Sequence, residues 1–143
     1  MREYVLDASV AVKWSAPAAS ENLVPNAFRL LDRYVANDFD LIVPDIFWAE
    51  IGNIFWKGVR QQRWSQGSAE IAALELRRRG LRTIPSQDLF IEALRIAFDH
   101  NRTVYDSLYV ALAVRSSTDF ITADERLANA LAAYLPVKWL GAF

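Results

Sequence analysis

The chain has 143 residues, 53% of them hydrophobic, enough for one compact domain with a core and too few for a second, so it is read as a single domain over 1–143. It contains no cysteine, which excludes a disulfide framework, a thiolate metal site and a cysteine nucleophile, and leaves oxygen or the lone His100 to hold any metal. The net charge of -1 hides basic clusters at Lys57, Arg60 and Arg63 and at Arg77, Arg78, Arg79 and Arg82, so an anionic partner stays open. No apolar stretch approaches the roughly 20 residues of a membrane span, and a cytoplasmic protein without a membrane partner is expected.

Tyr4 to Leu6 forms a short β-prone run that stops at Asp7. Apolar residues at Ala27, Leu30, Leu31, Tyr34 and Val35 then give helical spacing over residues 21–37. Leu41, Ile42 and Val43 make a second strand, ended by Pro44, and Phe47, Ile51, Ile54, Phe55 and Val59 space a helix over residues 45–62. Further helices are predicted over residues 68–79, with Gly80 as C-cap, and over 87–99, 103–115 and 124–134. Short strands are expected at 83–84, 120–122 and 137–139. Strands alternating with helices predict an α/β fold, a three-layer α/β/α sandwich around a mainly parallel five-stranded sheet.

In such sheets, sites gather at the carboxyl ends of the strands, near the point where strand order reverses. Asp7 ends the first strand, and Asp124 stands two residues past the strand at 120–122. Glu50 lies in the early turns of the helix that leaves the second strand. A helix returning the chain to a parallel strand runs opposite to it, so the helix feeding Phe120 begins at the same rim, with Asp106 in its first turn. Four carboxylates, Asp7, Glu50, Asp106 and Asp124, are thus expected on one rim. Unpaired like charges repel, and a divalent cation turns that repulsion into binding; an oxygen-only set suits Mg²⁺ or Mn²⁺. Such an ion acidifies a water and stabilises charge growing on a phosphate, which are the two needs of phosphodiester hydrolysis.

Each acid also has a plainer role. Asp7 suits the cap of a helix starting near Ser9, and both Thr103-x-x-Asp106 and Thr122-x-x-Glu125 fit capping boxes. Taken singly, capping is the better account of Asp106. Glu50 interrupts the apolar run of Ile46, Phe47, Trp48, Ala49 and Ile51, where an acid needs a partner. Asn53 and Lys57 follow on its side of the helix, Lys57 too far away for a helical ion pair. Asn53 is read as supporting the acids, and Lys57, Arg60 and Arg63 as candidate phosphate contacts. The run Arg77, Arg78, Arg79 reads as a solvated helix end. Trp14, Trp48, Trp56 and Trp64 read mostly as core or dimer-interface residues rather than base-stacking platforms, and His100 as a turn residue that binds no metal.

Four segments stand in order along nearly the whole chain: Val5-Leu6-Asp7-Ala8-Ser9 with Val12; Pro44-Asp45 with Ala49-Glu50 and Asn53; Thr103-Val104-Tyr105-Asp106 with Tyr109, Ala111 and Ala113; and Thr122-Ala123-Asp124-Glu125-Arg126-Leu127. In that order they resemble the PIN domain, and within it the VapC-type toxin ribonucleases. The resemblance implies five parallel strands and a magnesium or manganese centre on Asp7, Glu50, Asp106 and Asp124, supported by the hydroxyls of Ser9 and Thr122. It implies endonucleolytic cleavage of RNA by a metal-activated water, and silencing by a small VapB-like antitoxin that lays an arm over the active-site groove. A homodimer is expected on the same grounds.

Two further readings stay beside the toxin: a PIN nuclease of RNA processing, and a module that mainly pairs with an antitoxin and regulates transcription. The complete acid set favours catalysis. A haloacid-dehalogenase-like phosphatase needs a second acid where Ser9 stands, and a phosphoacceptor receiver domain needs paired acids after its first strand. No Gly-rich phosphate loop or pair of zinc-ligand motifs occurs.

Overall fold

The computed structural model describes residues 2–15 and 18–143. In chain order they form β1 (Glu3–Leu6), α1 (Ala8–Ala11) prolonged by a 3-10 turn at Val12–Trp14, α2 (Val24–Val35), β2 (Asp40–Pro44), α3 (Ile46–Arg60), α4 (Gln66–Arg77) and β3 (Arg82–Ile84). The second half adds α5 (Ser86–His100), α6 (Val104–Arg115), β4 (Phe120–Thr122), α7 (Glu125–Leu131), β5 (Val137–Trp139) and a 3-10 turn at Leu140–Ala142.

The five strands lie in the order β3-β2-β1-β4-β5, and every pairing is parallel. Helices cover both faces in the expected α/β/α arrangement. The inner strands are buried on both faces, so they read as continuous apolar runs instead of alternating ones: Val5, Leu6, Ile42, Val43, Phe120 and Ile121 are all inaccessible to solvent or nearly so. The edge strand β3 instead exposes Arg82 and Thr83. Helix α6 is apolar all round, with Ser107 through Ala113 buried; it lies against β1, β2 and β4 and is covered by α5.

The chain runs outward from β1 to β2 and β3, then crosses back to β4 on the other side of β1. The carboxyl ends of β1 and β4 therefore flank the switch point, where a crevice opens above a parallel sheet.

Several element boundaries differ from the sequence expectation. Helix α2 begins at Val24 instead of residue 21, because turns occupy residues 19–23 and Leu23 takes a left-handed backbone with φ of 61°. Pro25 fits the first turn of the helix. Glu21, expected inside that helix, pairs with the buried Lys13 at 3.2 Å. Helix α4 starts two residues early, since Ser65 caps it by accepting from the Ser68 N–H. Helix α7 stops at Leu131. His100 closes α5 instead of sitting in a turn, its ring 6.1 Å from that of Tyr134.

The tryptophans mostly pack as expected. Trp14 donates to the Ala27 carbonyl at 2.8 Å, Trp48 to the Thr83 hydroxyl at 3.0 Å, and Trp64 lies so close over Gly58 that a Cβ there would meet its ring at 2.0 Å. Trp56 lies outside the core: it is 57% exposed, with the Arg60 guanidinium 5.5 Å from its ring centre. Among the described residues no helix is long and apolar enough to cross a membrane.

Candidate active site at the switch point

Asp7 leaves β1 at its carboxyl end and holds the N-cap position of α1, but its side chain caps nothing. Its Oδ2 instead accepts from two hydroxyls, Ser9 Oγ at 2.8 Å and Thr122 Oγ1 at 2.7 Å. Both hydroxyls are themselves held by the chain leaving β4. The Ala123 N–H donates to Ser9 Oγ at 3.1 Å, and the Asp124 N–H to Thr122 Oγ1 at 3.0 Å. A hydroxyl has one proton; with a lone pair engaged by an N–H, each is turned to give that proton to Asp7.

This arrangement corrects the capping box expected at Thr122 and Glu125. Thr122 is the last, fully buried residue of β4. The cap of α7 is Asp124, whose Oδ1 accepts from the Leu127 N–H at 3.1 Å. The cap expected at Thr103 is present, its hydroxyl accepting from the Asp106 N–H at 3.1 Å, and it sets Asp106 in the first turn of α6. Capping and gathering of acids are thus compatible here.

Glu50, Asn53 and Asp106 face one another across an open cleft of about 460 Å³ whose other walls are Ile46, Ala49, Thr103 and Tyr105. Lys57, Arg60 and Arg63 are exposed beyond it and are not among its lining residues. Arg63 lies 5.1 Å from the Trp64 ring centre and donates to Gln61 Oε1 at 3.1 Å.

The acids interact electrically. Burial pushes the Asp7 carboxyl above its ordinary range, the Thr122 and Ser9 hydroxyls offset part of that, and Asp106 adds to it. Burial also raises Glu50, the Tyr109 hydroxyl counteracts, and Asp7 and Asp106 raise it further. Asp106 is raised chiefly by burial; Arg102 pulls it down and Asp124 pushes it up. Glu50 Oε1 is buried without a hydrogen-bond partner. The four sequence-expected acids therefore do share one rim, but not as a closed cage. Among the described residues, no group of three or more His, Cys, Asp or Glu lies close enough to hold a metal as it stands.

Oxygen-only donors, mutual repulsion and an orphaned carboxylate oxygen nevertheless fit a hard divalent cation. Two residues beside these acids are given no part in the site by the sequence: Arg102 and Tyr109. Arg102 carries no periodic signal, only its place just before the Thr103 cap. Tyr109 stands one turn after Asp106 inside an apolar run, where a tyrosine reads as core.

The sequence matches the PIN domain family model over residues 4–131, and the chain belongs to that family, whose members are nucleases that generally use divalent metals. No curated protein matches it. Among solved structures it is similar to PAE2754 from Pyrobaculum aerophilum, at 21% identity and a TM-score of 0.72 over 99% of this chain and 85% of that one. A toxin–antitoxin complex from Klebsiella pneumoniae matches at 13% identity and a TM-score of 0.59, over 94% of this chain and 95% of that one. VapBC2 from Rickettsia felis, bound to a DNA fragment from its promoter, matches at 13% identity and a TM-score of 0.62, over 96% and 98%. At these identities the likeness is one of fold.

Proposed function

We propose that the chain is a single-domain, metal-dependent endoribonuclease, and that it is the toxin of a type II toxin–antitoxin pair. The observation that carries the reading is the set of Asp7, Glu50 and Asp106 at the switch point, each raised above the usual carboxylate range in part by another acid of the rim. A centre of mutually repelling acids, one of them held by two hydroxyls, serves a cation better than it serves stability.

Asp7, Glu50, Asp106 and Asp124 would hold Mg²⁺ or Mn²⁺. Bound there, the ion acidifies water and offsets the charge that builds on a phosphate under attack. Ser9 and Thr122 keep Asp7 oriented and favour its ionised form. Asn53 offers an amide to the cleft, and Arg102 a positive charge beside Asp106. Lys57 and Arg60 on the last turns of α3, with Arg63 just past its end, serve as contacts for the RNA backbone. The similarity to structures described as toxin–antitoxin and VapBC complexes supports a VapB-like antitoxin as partner; a homodimer and action in the cytoplasm are part of the same proposal.

The test is cleavage of labelled RNA by the purified protein with Mg²⁺ or Mn²⁺, with EDTA, and by Asp7→Asn. Cleavage that survives EDTA or the variant refutes the site. Growth arrest on expression, relieved by coexpressing the neighbouring small gene, identifies the toxin; its absence removes that part of the reading.

A further inference from the structure

The Glu50 carboxylate oxygen Oε1 and the Tyr109 hydroxyl are both buried with no well-formed hydrogen bond, yet the hydroxyl is near enough to act on the Glu50 carboxylate. Tyr109 is 1% exposed, and its ring stacks on Phe120 of β4 with centroids 5.0 Å apart. A ring clamped in this way cannot swing its hydroxyl to solvent. Burying an unpaired hydroxyl costs about 1–3 kcal/mol, and phenylalanine would fill the same space without that cost. The hydroxyl therefore calls for a use that packing does not supply.

Its surroundings indicate the use. The groups around it are Asp7, Glu50 and the backbone at Ala8. A phenol O–H is a hydrogen-bond donor, and Glu50 is an acid with an oxygen to spare. Glu50 is also part of the cleft wall, so a donor at its buried oxygen leaves the rest of the carboxylate for the cleft.

We infer that Tyr109 is a positioning residue for Glu50: its buried hydroxyl serves as the hydrogen-bond donor that fixes the Glu50 carboxylate for a divalent ion in the acid centre. The inference rests on the metal centre proposed above. Outer partners of a ligand set its orientation, and losing one typically lowers metal affinity by about 10- to 100-fold.

The experiment measures Mn²⁺ binding, without RNA, to the wild type, Tyr109→Phe, Glu50→Gln and the double variant, with Asp7→Asn as control and thermal melting in EDTA alongside. Tyr109→Phe should weaken Mn²⁺ binding about tenfold or more while melting at the same or a higher temperature in EDTA. In the Glu50→Gln background it should weaken binding no further. With RNA, kcat should fall while KM holds. If Tyr109→Phe binds Mn²⁺ like the wild type while Asp7→Asn does not, the tyrosine inference fails and the metal centre stands. If Asp7→Asn also binds like the wild type, the metal centre fails and the inference with it. A lower melting temperature with unchanged binding would make Tyr109 an ordinary core residue and overturn the inference.

Discussion

The Thr122 hydroxyl meets Asp7 Oδ2 at 2.7 Å across neighbouring strands, 115 residues apart in sequence. The same hydroxyl accepts the Asp124 N–H at 3.0 Å, so one side chain fixes two acids. Thr122→Val keeps the shape but strands both partners. It should cost about 1–3 kcal/mol of stability and lower metal-dependent cleavage about 10- to 100-fold, while Thr122→Ser keeps most of both. Denaturant titration and cleavage rates of the pair check this; equal behaviour of Val and Ser would show that the hydroxyl is idle.

Asp7→Asn retains an oxygen to accept from Ser9 and Thr122 but removes the charge. Cleavage should drop at least about a hundredfold, as for loss of a ligand that stabilises the transition state, with the far-UV circular dichroism spectrum unchanged. Rates in Mn²⁺, read against that spectrum, distinguish lost chemistry from lost fold.

Asp124 has two duties that substitution can separate. Asparagine is as good a helix cap as aspartate, whereas alanine costs about 1 kcal/mol. Asp124→Asn should therefore melt like the wild type and Asp124→Ala lower, while both lose cleavage. An active Asp124→Asn would mean that the residue only caps α7.

The raised acids also predict a pH dependence. Asp7, Glu50 and Asp106 hold protons more tightly folded than unfolded, chiefly through burial. Above the ordinary carboxylate range the folded state thus binds more protons than the unfolded one, and stability falls as pH rises through that window. In EDTA, the contribution of these acids makes the protein melt higher near about pH 5 than near about pH 7, and neutralising Asp7 flattens that slope. Mn²⁺ binds the ionised forms and should lift the neutral-pH melting temperature most. Scanning calorimetry at both pH values decides; a slope steeper in Asp7→Asn than in the wild type would contradict the assignment.

The sequence made some of this legible and hid the rest for physical reasons. Inner parallel strands are buried on both faces, so β1, β2 and β4 stood out as apolar runs, and parallel connectivity alone brought the acids to one edge. The start of α2 was hidden because Leu23 adopts a left-handed backbone that no periodicity announces. Thr122 read as a helix cap because spacing along the chain does not reveal that the last strand hydroxyl points across to β1. Tyr109 was masked by the apolar neighbours that bury it.

The parallel pairing of β1 with β4 sets a timetable for the molecule as it is made. Asp7 emerges from the ribosome well before Thr122 and Asp124, and the strand that places these two must then dock beside β1. A growing chain holds Asp7, Glu50 and Asp106 before the Thr122 half of the hydroxyl clasp on Asp7 exists. The acid rim is thus a product of strand docking across the sheet, and no single segment of the chain carries it alone.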